Sequence, residues 1–391
     1  MEFHLPKELT HQILIRLPVK SLLRFRCVCK LWCSIISKSD FMLSNLQHKQ
    51  YNVLFRQYLL DFKEEIYSLH ADDERRQEIE TFNFPFKSIS EYFSIVGCVN
   101  GLVCLWDKDS NTLIYWNPAI RKCYMIPKFE LEQPIRKKKR LRFIRPASIV
   151  RDMCFGFGYD ALFNDYKVVR IIFYNKVIDE SNDFVFKSSV AVFSLRRKSW
   201  RRIDYSAPLA LYSRSCNVGG FVYRLTQIEN HGFEIVSFNL SSEVFSKIGC
   251  PDDVKSVLRC KTELTIFRDS LALMHEWDCK RYHIWVMGEG VEAKSWMKLF
   301  SVDLDGRAMG LRIVGFSMKG LMLVVGEGDV LVTPVVEDAQ VVKYVPPVPQ
   351  TAWHVESYKE SLVLLKGGDN LPLPPANFDN AEQLENELAE H

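Results

Sequence analysis

No apolar run in this chain approaches the ~18 residues needed to cross a bilayer. A secretory leader is not expected either: residues 1–17 are interrupted by Glu2, Lys7, Glu8 and Arg16. Neither sign of charge is in excess. Lys and Arg total 51 against 48 Asp and Glu, a net +3, so neither nucleic acid nor a membrane is expected as the main partner. The eleven cysteines are an odd number and follow no regular frame. That points to free thiols in a reducing compartment, hence to the cytosol or nucleus. Asn239-Leu240-Ser241 matches a glycosylation sequon but is expected to stay bare without export.

Catalytic constellations are equally scarce. His275-Glu276 lacks the second histidine of HExxH, no GxSxG elbow occurs, and the nine histidines are dispersed. Acidic groups gather in loops such as Asp72-Asp73-Glu74, which are expected to be solvated. Cys29 and Cys33 are spaced i, i+4, with Cys27 close by, but no fourth ligand follows at zinc-like spacing. Gly156-Phe-Gly158-Tyr-Asp-Ala161 and Gly288-Glu-Gly290-Val-Glu-Ala293 fit a loose GxGxxG/A pattern. The first is followed by strand-like sequence rather than by a helix N-terminus that would meet a phosphate, and both sets read as turn glycines. The chain therefore reads as a non-enzyme with no cofactor and no metal.

What is present begins at the N-terminus. Val28, Leu31, Trp32, Ile35 and Ile36 recur at i, i+3, i+4, i+7 and i+8, one apolar stripe of a helix. Leu9, Ile13, Leu14 and Leu17 form a second stripe. Pro6 stands where a helix starts, and Pro18 ends that helix and opens a short one through Leu22, Leu23 and Phe25. The first ~45 residues thus predict three short helices, too little chain for a self-sufficient core. Some of their apolar surface must pack on the following domain or on another protein.

The residues LPKELTHQILIRLPVKSLLRFRCVCKLWCSII resemble an F-box. The matching features are Leu5-Pro6, Ile13-Leu14, Leu17-Pro18-Val19-Lys20-Ser21-Leu22, Arg24, Val28, Cys29, Lys30 and Trp32. The resemblance implies docking on the Skp-type adaptor of an SCF ubiquitin ligase, and through it on cullin and RING subunits. By position it assigns the adaptor surface to Leu5, Pro6, Ile13, Leu14, Leu17, Pro18, Leu22, Leu23 and Arg24. Val28, Leu31 and Trp32 are expected to divide between adaptor contact and domain core.

From about Tyr51 the texture changes to short apolar runs bounded by Gly, Asn, Asp and Pro. With 13% aromatic residues, 26 of them Phe, an all-β body is expected. Gly101-Leu-Val-Cys-Leu, Gly220-Phe-Val-Tyr-Arg-Leu, Ser270-Leu-Ala-Leu-Met, Gly320-Leu-Met-Leu-Val and Ser361-Leu-Val-Leu-Leu read as one strand repeated. DYKVVRIIFY (165–174) fills the gap in that series. A hairpin recurs too: Trp116, Phe193 and Phe238 are each followed seven residues later by Cys123, Trp200 and Phe245. Hairpins at a period near ~45–50 residues suit a β-propeller of four-stranded blades, six to eight of them over this length. NVLFRQYLLDF (52–62) and SLVLLK (361–366) are expected to share a blade and so remove the open edges.

VNGLVCLW, YWNPAIRK, FGFGYDALFNDYKVVRI and VAVFSLRRKSW are similar to the F-box-associated interaction domain of plant F-box proteins, a family that includes the S-locus F-box proteins of pollen. That resemblance implies a substrate receptor, with recognition of pistil ribonucleases in self-incompatibility as a narrower variant. A β scaffold whose F-box serves no ligase is the other alternative. Arg136, Lys137, Lys138, Lys139 and Arg140, with Arg142 and Arg145 behind, form the densest charge run. It reads as a solvated loop, as a contact for an acidic target face, or as a nuclear import patch.

The expectation is an α+β multidomain chain. A short all-α F-box of three helices (1–46) precedes a large all-β domain, a kelch-like β-propeller (51–366) that recruits a target. A Pro- and Glu-rich tail (367–391) is expected to lack fixed structure.

Overall fold

The computed structural model describes residues 6–365, apart from 61, 74, 83, 85, 130–147, 178–183, 206–213, 229–231, 256–261, 279–280, 289–294, 304–311, 326–329 and 334–350. Four helices open the chain rather than three: α1 (Lys7–Leu14), α2 (Val19–Phe25), α3 (Lys30–Ile36) and α4 (Ser39–Gln47). Pro6 and Pro18 hold the N-cap positions of α1 and α2 in extended backbone, where their missing N–H costs nothing. The stripe beginning at Val28 is broken by Cys29, which is extended and caps α3 by accepting the Trp32 N–H on its Sγ at 3.5 Å. Val28 therefore precedes the helix. The fourth helix buries Phe41, Asn45 and Leu46, a spacing that was not read from the sequence.

The strand pairs whose register is described are all antiparallel, as short hairpin turns between sequence neighbours require. The chain divides into two compact units. The first comprises Met1–Ile126, Glu327–Val330 and Val345–His391. It holds the helices and two sheets. One sheet contains β1 (Asn52–Leu59), β2 (Glu64–Ala71), β3 (Glu78–Phe82) and the last described strand, β23 (Thr351–Tyr358), in the order β23-β1-β2-β3. The other runs in sequence order through β4 (Ser94–Val99), β5 (Leu102–Asp107), β6 (Thr112–Asn117) and β7 (Lys122–Ile126). Leu54, Tyr67, Trp116 and Tyr358 share one core, with the Tyr67 and Trp116 rings edge-on at 4.8 Å.

The second unit comprises Pro127–Gly326 and Leu331–Tyr344. Its first sheet contains β8 (Ser148–Asp160), β9 (Asp165–Val177), β10 (Phe184–Ser194) and β11 (Ser199–Ile203). The next contains β12 (Cys216–Val218), β13 (Phe221–Ile228), β14 (Gly232–Asn239) and β15 (Phe245–Gly249). A third contains β16 (Thr262–Phe267), β17 (Ser270–Asp278), β18 (Arg281–Met287) and β19 (Trp296–Asp303). A three-stranded sheet follows, of β20 (Arg312–Phe316), β21 (Met322–Val325) and β22 (Val330–Thr333).

The recurrences seen in the sequence are places in these sheets. The runs beginning at Gly101, Gly220, Ser270 and Gly320 are the second strands β5, β13, β17 and β21. DYKVVRIIFY, which filled the gap, is the second strand β9. The seven-residue offset is a cross-strand register: Trp116 faces Cys123, Phe193 faces Trp200, and Phe238 faces Phe245. Direct opposition puts both side chains of a pair on one face of the sheet.

Three expectations are corrected. The strand that pairs with β1 is Thr351–Tyr358, in register from Asn52 against Tyr358 to Leu59 against Thr351, and not SLVLLK. The Ser361–Leu365 segment forms no strand: Leu364 is left-handed at φ 69° and Leu365 N–H turns back to the Leu362 carbonyl. Its leucines, Leu362, Leu364 and Leu365, are nonetheless buried. Gly156 and Gly158 lie inside strand β8 and are not turn residues. A Cβ on Gly156 would meet Val222 Cγ1 at 2.3 Å, and one on Gly158 would meet Asn217 Nδ2 at 2.1 Å. Both glycines let β8 approach the next sheet closely. Asp72, expected to be solvated, is buried, while its neighbour Asp73 accepts the Arg75 and Arg76 backbone N–H groups.

Candidate docking surface

The helical segment is fastened from one side. Val19 and Leu22 of α2 are fully buried. α2 packs against the 3-10 turn Pro118–Ile120, which follows β6. The Val19 N–H donates to Glu360 Oε2 at 3.4 Å, and Lys20 pairs with Glu80 on β3 at 2.8 Å. The Leu17-Pro18 corner is held from α4 and beyond. Asn45 Nδ2 donates to the Ile15 carbonyl at 2.7 Å and Lys49 Nζ to the Leu17 carbonyl at 2.5 Å. Burial lowers the Lys49 pKa, opposed by the Glu360 carboxylate. His11 meets Phe41 edge-on at 5.4 Å, tying α1 to α4.

Four apolar side chains of this segment are not covered. Leu9 and Ile13 on α1 are each 52% exposed, Val28 before α3 is 62% exposed, and Leu31 on α3 is 42% exposed. Scattered surface leucines need no explanation, but two such pairs within one short helical segment do. Leu9 and Ile13 are i, i+4 neighbours on one helix face.

The residues singled out from the sequence separate into three groups. Pro6, Ile13, Pro18, Arg24, Val28 and Leu31 are exposed; Leu17, Leu23 and Trp32 are half-buried; Leu14 and Leu22 are core. With 1% and 0% exposure, Leu14 and Leu22 act by packing and present no surface. Leu5 lies outside the described residues, as does the basic run Arg136, Lys137, Lys138, Lys139 and Arg140. Leu9 was missed as a surface residue. Its signal was the i+4 relation to Ile13, obscured because Ile13 and Leu14 are both apolar and only one of them can face inward.

Among the described residues no group of three His, Cys, Asp or Glu side chains is placed to hold a metal ion. His275 is buried in its sheet, with Nδ1 at 3.0 Å from the Thr262 hydroxyl and its pKa lowered by burial and by His283.

Comparison with known proteins is consistent with this division. An F-box domain matches residues 3–44, and an F-box associated beta propeller domain matches residues 55–358. An F-box/kelch-repeat protein of Arabidopsis thaliana is 26% identical over 322 residues, covering 76% of this chain and 79% of the relative. F-box/WD-40 repeat-containing protein 1 of the same plant is 26% identical over 311 residues, covering 76% and 68%. F-box protein CPR1, also from Arabidopsis thaliana, is 25% identical over 324 residues, covering 76% and 72%.

Proposed function

This chain belongs to the F-box proteins that carry an F-box associated beta propeller domain, and on that premise we propose that it is the substrate-receptor subunit of an SCF-type ubiquitin ligase. The helices bind a Skp-type adaptor, which links them to cullin and RING subunits. The β domain holds a target protein for ubiquitination and degradation. Transfer of ubiquitin takes place on other subunits, and this chain contributes proximity, turning a bimolecular encounter into an effectively intramolecular one. The nine free cysteines among the described residues support a reducing location, cytosolic or nuclear.

The observation that carries this reading is the uncovered apolar set Leu9, Ile13, Val28 and Leu31, on and beside α1 and α3, next to an α2 that is fastened to Glu80 and Glu360 of the β domain. Fastening matters because a loosely tethered helix pair would not hold a target at a fixed distance from the ligase.

Co-expression of the full chain with a Skp-type adaptor and cullin tests it. Wild type is expected to co-purify with both, and Leu9→Glu/Ile13→Glu to lose both while its thermal unfolding is unchanged. Retention of the adaptor at wild-type strength by the double variant would sink the proposal.

A further inference from the structure

Three hairpin turns from two neighbouring sheets of the second unit converge on a groove of about 770 Å³. They are the β8–β9, β10–β11 and β14–β15 turns, which contribute Phe163, Arg196–Arg197 and Ser241–Glu243. Lys167 and Arg201 complete the charged lining. The four cations Lys167, Arg196, Arg197 and Arg201 face two carboxylates, Asp165 and Glu243.

The partners of these groups decide which charge remains available. Lys167 is buried and bound to Asp160 at 2.8 Å and Glu243 at 3.2 Å. Arg201 shares Glu243. Asp165 is occupied by the Ser194 hydroxyl at 2.5 Å and by the Arg196 N–H at 2.8 Å. Arg196 donates through Nη1 to the Phe163 carbonyl at 3.1 Å, a neutral partner that leaves its charge uncompensated. The Arg197 guanidinium has no hydrogen-bond or ion-pair partner among the described residues, and Lys198 beside it is exposed. Among the described residues, this one hairpin turn thus presents three cations without a carboxylate partner, Arg196, Arg197 and Lys198. Exposed apolar side chains stand in the same turns: Leu162 at 74%, Phe163 at 48% and Val244 at 56%.

We propose that this groove receives an extended acidic segment of the target protein, its carboxylates on Arg196 and Arg197 and a large apolar side chain against Phe163. The inference rests on the substrate-receptor reading and names the chemistry of its target. The guanidinium forks match carboxylates in two-pronged geometry. The two carboxylates already in the lining disfavour a doubly charged phosphate over single negative charges spread along a peptide.

The test uses the full chain co-purified with its adaptor and a fluorescein-labelled peptide of repeating Glu-Glu-Leu, read by anisotropy. Its Gln-Gln-Leu and phosphoserine-containing counterparts are the comparisons. At low salt the Glu peptide is expected to bind about tenfold more tightly than the Gln peptide, with the preference shrinking as screening shortens to about 8 Å at physiological ionic strength. Arg196→Ala/Arg197→Ala is expected to abolish the preference. Arg197→Ala alone, at an exposed side chain without partners, is expected to reduce it with no change in folding. Lys298→Ala, an exposed cation on β19, is expected to leave it intact. Equal binding of Glu and Gln peptides, no binding at all, or full preference in the double variant overturns the proposal. So does a strong preference for the phosphoserine peptide, which would make the site a phosphate site. The adaptor band in the same preparations decides the receptor reading separately, because neither arginine lies in the helices.

Discussion

The side-chain amide of Asn117 donates to the Ser361 carbonyl at 3.0 Å and to the Val363 carbonyl at 2.8 Å, joining residues more than two hundred positions apart. The same side chain accepts the Ala119 N–H at 3.1 Å and so also sets the turn that α2 packs against. Asn117 is fully buried, and its bond to the Ser361 carbonyl is closed to water as an alternative partner. Replacing Asn117 with alanine takes this donor from two carbonyls and leaves the Ala119 N–H only the Tyr358 hydroxyl, at 3.3 Å. A loss of about 2–3 kcal/mol is expected, read as a lowered melting temperature and faster proteolysis near Leu365. A wild-type melting curve for this variant would show that water replaces the amide without cost.

Pairing of β1 with β23 makes a second demand on the C-terminal part of the chain. Truncation after Gln350 removes β23 and leaves the whole length of β1 as an open edge. Such an edge is a template for association with other chains. That truncation is expected to aggregate, whereas truncation after Leu365 keeps both β23 and the Asn117 contacts and is expected to remain monodisperse. Light scattering on the two proteins distinguishes them, and equal behaviour would contradict the closing role of β23.

The buried pair Asp160–Lys167 predicts a pH dependence. Burial pushes the Asp160 carboxyl up, but the Lys167 ammonium, the Ser241 hydroxyl and the Phe163 N–H outweigh it, and its pKa falls below the ordinary 3.8. A carboxyl depressed in the folded state contributes stability that is complete above its unfolded pKa and is lost as pH falls through the folded value. Asp160→Asn is therefore expected to cost about 3 kcal/mol near neutral pH, where it breaks a buried ion pair. The gap to wild type is expected to narrow below about pH 4. Denaturant titrations at neutral and acid pH measure this, and a gap that stays constant with pH would remove Asp160 as its source.

Much of the β architecture was legible because hairpins carry their register locally. Trp116–Cys123, Phe193–Trp200 and Phe238–Phe245 are separated by one short turn, so their offset survives in the sequence as a fixed number. The strand DYKVVRIIFY was recoverable for the same reason. What escaped depends on neighbours distant in the chain. Gly156 and Gly158 resemble turn glycines until Val222 and Asn217 are known to lie against them. SLVLLK has the composition of a strand, but Asn117 draws its carbonyls into a turn. The arginines of the β10–β11 turn were visible only as a polar hairpin tip, since Phe163 and Glu243 come from turns far away in sequence. On the helices, periodicity located the apolar stripes but not which residue of each adjacent pair faces inward.

That last ambiguity yields a paired prediction. Leu22 on α2 and Leu31 on α3 are the same side chain, yet they differ from 0% to 42% exposure. Truncating Leu22 to alanine opens a cavity beneath α2 and is expected to cost about 2–5 kcal/mol of stability. It then weakens adaptor capture only to the extent that the helices unfold, so lowering the temperature is expected to restore capture. Truncating Leu31 removes a half-exposed side chain and is expected to change stability by less than about 1 kcal/mol. If Leu31 is buried by the adaptor, its loss lowers affinity by roughly one decade or more at every temperature, since burying a leucine is worth about 1.5–3 kcal/mol. Melting curves together with adaptor affinity at two temperatures separate the two roles. Equal effects of the two substitutions on both measurements would mean that the exposed and buried faces of the helices are not divided between partner and core.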